Sequence, residues 1–223
     1  MIFFDIDSTL LDHEQAEELG AIEFFEENKE DIKCNTNEFV ALWHHLSDTY
    51  FEKYLEKELS FLEQRRMRMK ELLGSHISND LADEKFNEYI TYYKKNWKVF
   101  EDVIPSLEQM KKQGKRLGII SNGDENQQME KLETIKIRKY FDCIVTSSKV
   151  GISKPNITIF IEACNLAKVK AEECYYIGDR VETDAIASTQ AGMRGIWLNR
   201  KNTMTRSEIV TIHSLHELAT IIK

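Results

Sequence analysis

The sequence predicts an α/β fold, a doubly wound (Rossmann-like) parallel sheet core with an inserted all-helical domain. Two observations indicate this fold. From about residue 98 onward, short apolar runs alternate with helical patterns, as in a parallel sheet covered by helices. Residues 14–97 show only helical periodicity, and the strand before them needs the later strands because one strand cannot form a sheet. The predicted domains are a discontinuous core, 1–13 with 98–223, and a helical domain, 14–97.

The predicted core strands are short apolar runs bounded by polar residues or glycine, the pattern of strands buried on both faces. Strands are predicted at 2–6, 115–121, 142–146, 174–178 and 195–198, and helices at about 105–113, 125–134, 156–167, 183–191 and 214–222. Asp124 with Gln127 indicates a capped helix start. Pro155 suits a first helical turn, and Gly192 suits a helix C-terminus.

The inserted segment has aromatic and aliphatic residues at helical spacing, and these are predicted to be mainly its own core. They are Phe39, Trp43, Leu46, Tyr50 and Tyr54, followed by Phe86, Tyr89, Ile90, Tyr93 and Trp97. Asn35 with Glu38 predicts a helix start with a capping box. The segment is long enough to form a small helical bundle.

Composition excludes several classes of protein. Of the 223 residues, 42% are hydrophobic and 30% charged, which fits a globular chain and neither a disordered nor a membrane protein. The net charge of −8 argues against nucleic acid as the main partner, because duplex binding needs a basic surface. The four cysteines, Cys34, Cys143, Cys164 and Cys174, have no C-x-x-C spacing and are expected to be reduced.

The N-terminal stretch is apolar but does not resemble a signal peptide. It lacks a basic region, and Asp5 and Asp7 interrupt it. No stretch reaches the roughly 18 to 20 apolar residues that a bilayer requires. We therefore expect a cytoplasmic protein with no membrane partner.

Polar side chains follow three of the predicted strands. Asp5 and Asp7 close the first strand, Ser121 closes the second, and Asp179 follows the strand at 174–178. Ligands of open α/β sheets bind beyond the carboxyl ends of the strands. These side chains, with Lys154 at a helix start, are therefore predicted to form one site.

The residue types at this edge suit phosphoryl transfer. Asp5 and Asp7 share a face of an extended strand, and two such carboxylates repel unless a cation lies between them or one is protonated. A hard divalent ion, Mg²⁺ in particular, would neutralise them, and Asp179 and Asp184 would complete its oxygen shell. A phosphate needs its equatorial oxygens held and neutralised. The Ser121 hydroxyl, the Asn122 backbone N–H and the Lys154 ammonium supply these contacts.

Four short segments carry these residues: 5–9, 121–123, 154–155 and 178–184. Together they resemble the haloacid dehalogenase (HAD)-like hydrolase superfamily, in its phosphatase branch with a helical cap inserted after the first strand. The resemblance extends to V-G-x-x-K-P at 150–155, G-D-x-x-x-x-D at 178–184 and A-G-M-R-x-I-W at 191–197. The inserted segment resembles such caps in size and helical content. The resemblance implies that the cap closes over a small phosphate ester and selects its leaving group.

Carried over to this chain, the resemblance implies that Asp5 is the nucleophile, forms an aspartyl-phosphate and binds Mg²⁺. Asp7 would act as general acid and then base, with its backbone carbonyl on the metal. Thr9 would support the turn that aims Asp7. Dehalogenases of the superfamily lack an acid at the position of Asp7, so its presence favours phosphate-ester hydrolysis.

For the remaining positions, the resemblance implies that Ser121 and Lys154 bind the transferring phosphoryl group. Asp179 would be a metal ligand. Asp184 would hold a metal-bound water or Lys154; alternatively, it is only a favourable charge in the first turn of a helix.

The sequence leaves the substrate and some of the chemistry open. Residues 1–13 and 98–200 resemble bacterial pyrimidine 5′-nucleotidases, which indicates a nucleoside 5′-monophosphate, and sugar phosphates are the competing substrates. The same motifs would also suit a phosphomutase or an enzyme that cleaves phosphonates through a lysine imine. A phosphate-sensing binding module that is phosphorylated on Asp5 is the hypothesis without catalysis.

Overall fold

The computed structural model describes residues 1–203 and 206–222. The chain divides into two compact units, one of Met1–Asp12 with Lys98–Lys223 and the other of His13–Trp97.

The regular elements of His13–Trp97 are four helices. They are α1 (His13–Asn28), α2 (Thr36–Leu55), α3 (Phe61–Leu73) and α4 (Asn79–Lys95). Asn35 caps α2 with the full capping box that its spacing to Glu38 predicts. A second box, Ser60 with Glu63, starts α3 and was not predicted.

Aromatic side chains from three helices form the core of this unit. Phe24, Phe39, Trp43 and Phe86 are buried, and the Trp43 ring centroid lies 4.2 Å from that of Tyr89. Helical spacing predicted this core for α2 and α4. Gly20 lets α1 and α4 approach closely, because a Cβ there would lie 2.9 Å from the Tyr93 backbone.

The described residues of the other unit form one six-stranded sheet in which all strand pairs are parallel. The strands are β1 (Ile2–Phe4), β2 (Leu117–Ser121), β3 (Cys143–Thr146), β4 (Tyr175–Gly178), β5 (Arg194–Leu198) and β6 (Val210–Ile212). Their spatial order is β3-β2-β1-β4-β5-β6, so the winding direction reverses between β1 and β4. The predicted doubly wound α/β fold is confirmed.

β6 was not predicted, and the first strand is shorter than the predicted range of 2–6. β6 has three residues, of which Ile212 is buried and Val210 is exposed, and so short a run carries no readable periodicity. β1 ends at Phe4, although the Asp5 N–H still donates to the Ile177 carbonyl at 2.9 Å.

In the described part of this unit, six α-helices accompany the sheet. They are α5 (Val103–Lys112), α6 (Glu125–Thr134), α7 (Ser147–Val150), α8 (Thr158–Ala167), α9 (Ala187–Gln190) and α10 (Leu218–Ile221). Asp124 caps α6 by accepting the Gln127 N–H, as predicted. Gly192, with a φ of 89°, follows α9 and has the left-handed backbone expected after a helix.

Two helix predictions differ from the structure. Pro155 is not in the first turn of α8, which begins at Thr158, where the Asn156 side chain accepts the Thr158 N–H. The Lys154–Pro155 bond is cis. The helix expected at 183–191 begins as a π-helix, Val181–Ile186, and continues as α9.

Candidate active site

The carboxyl ends of β1, β2 and β4 meet at one edge of the sheet, since β1 pairs in parallel with both neighbours. Asp5 follows β1, Ser121 is the last residue of β2, and Asp179 follows β4. Lys154, from the segment between α7 and α8, places its Nζ 3.0 Å from Asp5 Oδ1. Residues that are far apart in sequence are thus brought together where the sequence predicted.

The Lys154 ammonium is buried among hydrogen-bond partners. Its Nζ donates to Asp184 Oδ1 at 2.7 Å and to the Tyr176 hydroxyl at 2.8 Å. Burial alone would lower the pKa of Lys154, but the charges of Asp184 and Asp5 outweigh it and raise the pKa. The site therefore holds a fixed positive charge before any substrate binds.

The Asn122 side chain fixes the backbone of Lys154. The Lys154 N–H donates to Asn122 Oδ1 at 2.8 Å, and Asn122 Nδ2 donates to the Lys154 carbonyl at 2.9 Å. From the sequence, the backbone N–H of Asn122 was predicted to contact the phosphate. The structure adds that its side chain joins the end of β2 to the lysine segment.

Asp5, Asp179 and Asp184 each offer a carboxylate oxygen within 4.8 Å of the others. Burial raises the pKa of Asp5; the charge of Lys154 opposes this effect, whereas Asp184 and Asp7 add to it. Burial also raises the pKa of Asp179 well above its usual range, and the charges of Asp184 and Asp5 raise it further. The ionised forms of Asp5 and Asp179 are therefore disfavoured until more positive charge is supplied.

The donor atoms of this cluster suit a hard divalent cation. Asp5 Oδ1 is buried and, although close to Lys154, accepts no hydrogen bond among the described residues. Carboxylate oxygens are the ligands that Mg²⁺ prefers. Asp184 is less available, because its Oδ2 also accepts the Arg180 N–H at 2.9 Å. Asp5 and Asp179 are thus the side chains best placed to hold a metal.

Gly178 makes room for the Asp184 carboxylate. A Cβ at residue 178 would lie 2.3 Å from Asp184 Cγ, closer than real Cβ contacts allow. Asp184 itself is fully buried. The glycine at the end of β4 is therefore required by the acid that contacts Lys154.

The Asp7 side chain faces α6. Lys131 Nζ lies 2.7 Å from Asp7 Oδ1 and 2.8 Å from Oδ2, and Gln128 Nε2 lies 3.1 Å from Oδ2. Neither of these α6 residues was predicted to belong to the site. Their spacing of three on the helix that follows Ser121 was the available signal, because such residues share a helix face.

Thr9 belongs to a tight turn after Asp7. The N–H groups of Thr9, Leu10 and Leu11 all approach the Ile6 carbonyl, at 3.3, 2.8 and 2.9 Å. The Thr9 carbonyl accepts from Arg200 Nη2 at 2.8 Å, whereas its buried Oγ1 has no hydrogen-bond partner among the described residues. Thr9 therefore contributes through its backbone in this structure.

The sequence profile of the haloacid dehalogenase-like hydrolase family matches residues 2–198, which is most of the chain. The chain belongs to this family. The crystal structure of the HAD-hydrolase YfnB from Bacillus subtilis, bound to magnesium, has a TM-score of 0.79 at 22% identity and covers 100% of this chain and 97% of that one. The 2-haloacid dehalogenase from Pseudomonas syringae pv. Tomato DC3000 has a TM-score of 0.73 at 27% identity, covering 99% and 96%.

Phosphatases are among the relatives of this HAD-like chain. N-acylneuraminate-9-phosphatase from Homo sapiens is 28% identical over 89% of this chain and 82% of that enzyme. Glyceraldehyde 3-phosphate phosphatase from Methanopyrus kandleri is 40% identical, but the match covers only 46% of this chain and 44% of that enzyme. The predicted family and the predicted enzyme class are confirmed by these matches.

No helix among residues 1–203 and 206–222 is both long and apolar enough to cross a membrane.

Proposed function

We propose that this HAD-like protein is a Mg²⁺-dependent phosphomonoester hydrolase that forms an aspartyl-phosphate on Asp5. The observation that carries the proposal is the position of Asp5. Its buried carboxylate lies 3.0 Å from the Lys154 ammonium and in one oxygen cluster with Asp179. A nucleophile, a fixed cation and metal-ligand oxygens thus occupy the same edge of the sheet.

The first half-reaction transfers the phosphoryl group to the protein. Asp5 attacks phosphorus and forms a new P–O bond while the ester P–O bond breaks. Ser121 and Lys154 hold the equatorial oxygens, and Asp7 gives its proton to the leaving alkoxide. Asp5, Asp179 and the Asp7 backbone carbonyl would hold Mg²⁺, which would supply positive charge to neutralise the phosphoryl oxygens.

The second half-reaction releases phosphate. Asp7, now a carboxylate, removes a proton from water, and the water oxygen attacks the phosphorus of the aspartyl-phosphate. The bond to Asp5 breaks, which restores the Asp5 carboxylate and releases inorganic phosphate. The proton from water replaces the one that Asp7 gave to the leaving alkoxide, so the cycle is balanced.

For the substrate, we propose a small phosphorylated sugar or sugar acid. The support is that the phosphatase relatives are named for glyceraldehyde 3-phosphate and for N-acylneuraminate 9-phosphate. The match to the second enzyme covers 89% of this chain and so includes the helical unit. We assign that unit the role of a cap that selects the leaving group. Nucleoside 5′-monophosphates are the competing substrate class.

The test is phosphate release from a panel of sugar phosphates and nucleoside monophosphates, with Mg²⁺ and with a chelator. We expect multiple turnovers with at least one ester when Mg²⁺ is present, and no turnover when a chelator is present. Transfer of a single phosphoryl group to the protein, with one equivalent of alcohol released and no inorganic phosphate, would instead favour a binding module that is phosphorylated and not turned over. Turnover on nucleotides alone would overturn the sugar-phosphate assignment.

A second candidate function is carbon–halogen cleavage, favoured by the structural match to a 2-haloacid dehalogenase at 27% identity. In this chain Asp5 would be the nucleophile of either reaction, but only the phosphatase needs an acid at Asp7. Halide release from a 2-haloacid, together with no phosphate release from the panel, would establish this candidate in place of the first.

A further inference from the structure

One face of α6 presents two buried polar residues to the Asp7 loop. Gln128 and Lys131 are three positions apart, so their side chains share a face of the helix. Gln128 is 1% exposed and Lys131 is 4% exposed. Lysine is almost never fully buried unless it is paired, so its burial here indicates a specific partner.

The partner of Lys131 is the Asp7 carboxylate. Lys131 Nζ lies within 2.8 Å of both Asp7 oxygens, in the range of charge-assisted hydrogen bonds. The Lys131 side chain is 4% exposed, whereas that of Asp7 is 26% exposed. The buried cation thus holds a carboxylate that remains accessible to a ligand.

Gln128 connects the same carboxylate to the end of β2. Its Nε2 lies 3.1 Å from Asp7 Oδ2, 2.9 Å from Ser121 Oγ and 3.1 Å from the Asn122 carbonyl. Its buried Oε1 has no hydrogen-bond partner among the described residues. The contacts of Nε2 with Asp7 and Ser121 therefore set the orientation of the Gln128 amide.

We propose that Lys131 and Gln128 are positioning residues for Asp7 in its ionised, base form, an inference that rests on the proposed phosphatase function. A general base must lie within hydrogen-bond reach of the proton it takes. Two rotatable bonds separate the Asp7 carboxylate from the backbone. Contacts to both oxygens restrict these bonds, and Gln128 aligns Asp7 with the Ser121 hydroxyl that holds the phosphoryl group.

The test is a double-mutant cycle with the substrate that the wild type hydrolyses best. Lys131→Met removes the ammonium and keeps much of the apolar stem. We expect kcat to fall by roughly 10- to 100-fold, as for a misplaced catalytic group, while KM changes by less than about twofold. Lys131→Arg keeps the charge and should recover most of this loss. In an Asp7→Asn background, Lys131→Met should cost less than about twofold, because no carboxylate is left to position.

Two further variants separate positioning from folding. Lys149→Met is the matched control, because the exposed ammonium of Lys149 pairs with the α6 residue Glu125 at 2.6 Å, and it should keep wild-type kcat. Gln128→Leu should lower kcat by roughly 3- to 10-fold and show the same dependence on Asp7. It provides a second cycle if Lys131→Met does not fold.

The outcomes distinguish the two proposals. Wild-type kcat in Lys131→Met, or an equal fold loss with and without the Asp7 carboxylate, overturns the positioning role alone. A wild-type protein that turns over no phosphate ester overturns the proposed function and this inference with it.

Discussion

Lys154 and Asp184 form a buried ion pair, with 2.7 Å between Lys154 Nζ and Asp184 Oδ1. Both side chains are almost fully buried. Breaking such a pair by removing one partner typically costs about 3–5 kcal/mol, because the other charge is left without compensation. The pair therefore holds the Lys154 ammonium in place, and this preorganised charge would cost no rearrangement when a phosphate binds.

Gly178→Ala should disturb this pair without altering a charged residue. The new Cβ would lie 2.3 Å from Asp184 Cγ, so Asp184 must move away from Lys154. We expect a loss of about 1–3 kcal/mol in unfolding free energy from the added atom. We also expect kcat to fall by at least tenfold, measured by phosphate release.

Gly114→Ala is the control for Gly178→Ala. Residue 114 has a φ of 73°, and an added Cβ would meet nothing within 4 Å. The free energy of unfolding should fall by only about 1–2 kcal/mol, the cost of a left-handed alanine, and kcat should stay at the wild-type value. Full activity in Gly178→Ala would show that Asp184 need not hold Lys154.

Asp5→Asn should fold normally and lose nearly all turnover, because an amide cannot accept the phosphoryl group as a carboxylate does. The measurement combines kcat with mass spectrometry after acid quench. Wild-type protein should carry one phosphoryl group on the peptide that contains Asp5, and the variant should carry none. An Asp5→Asn protein that hydrolyses at the wild-type rate would exclude Asp5 as nucleophile.

Adding Mg²⁺ to chelator-treated protein should raise its melting temperature. A ligand that binds only the folded state at 100 times its Kd stabilises by about 2.7 kcal/mol. Because the pKa values of Asp5 and Asp179 are raised without metal, Mg²⁺ must displace protons, and the stabilisation should grow as pH rises.

The matched variant for this experiment is Asp179→Asn, which keeps the shape of the side chain and removes its charge. In this variant Mg²⁺ should raise the melting temperature much less than it does in the wild type. An equal shift in the variant and the wild type would place the ion elsewhere. A shift that shrinks as pH rises would contradict the proton competition.

Much of the candidate site could be predicted because it depends on strand topology. Asp5, Ser121 and Asp179 end up at one edge since parallel strands that neighbour each other finish on the same side of a sheet. The short apolar runs identified the strands, and the polar residues after them identified the edge. Local patterns also predicted the Asn35 cap, which forms within four residues.

The contacts behind the site could not be predicted, because they depend on which way a side chain points. Tyr176, whose hydroxyl contacts Lys154, alternates with Tyr175 along β4, and nothing local says which one faces the lysine. Lys131 and Gln128 contact Asp7 across more than 120 residues of sequence. The spacing of Gln128 and Lys131 places both on one helix face, but it does not indicate which residue that face contacts, because the contact depends on tertiary packing.

Asp7→Asn should affect substrates according to their leaving groups. An alkyl phosphate needs its departing oxygen protonated, whereas p-nitrophenolate leaves without a proton. We expect kcat/KM to fall by at least about 100-fold for the alkyl ester and by much less for p-nitrophenyl phosphate. The measurement is kcat/KM, since it reports the steps up to departure of the leaving group. Equal losses for both esters would argue against Asp7 as general acid.

The helical unit contains a separate charged network around Glu17. Glu17 is 7% exposed, and its Oε2 lies 3.1 Å from His44 Nδ1. Burial would raise the pKa of Glu17, but hydrogen bonds from His44 and Ser47 and the charge of His13 outweigh it and lower the pKa to about 2. The hydrogen bond to Glu17 raises the pKa of His44. Glu17 is thus expected to stabilise this unit while it is ionised.

Glu17→Gln should therefore change how stability depends on pH. A carboxyl whose pKa falls from 4.5 to about 2 on folding contributes roughly 3 kcal/mol above pH 5, and this is lost as pH falls toward 2. Near pH 6 the free energy of unfolding of the variant should be lower than that of the wild type, and this gap should close on acidification. The gap should also narrow above pH 6.5, because His44 loses its proton there. The measurement is urea unfolding followed by tryptophan fluorescence. Glu26→Gln, at an exposed pair with Lys29, should show no such gap. A gap between wild type and Glu17→Gln that stays constant from pH 6 to 3 would mean that the Glu17 charge does not stabilise the fold.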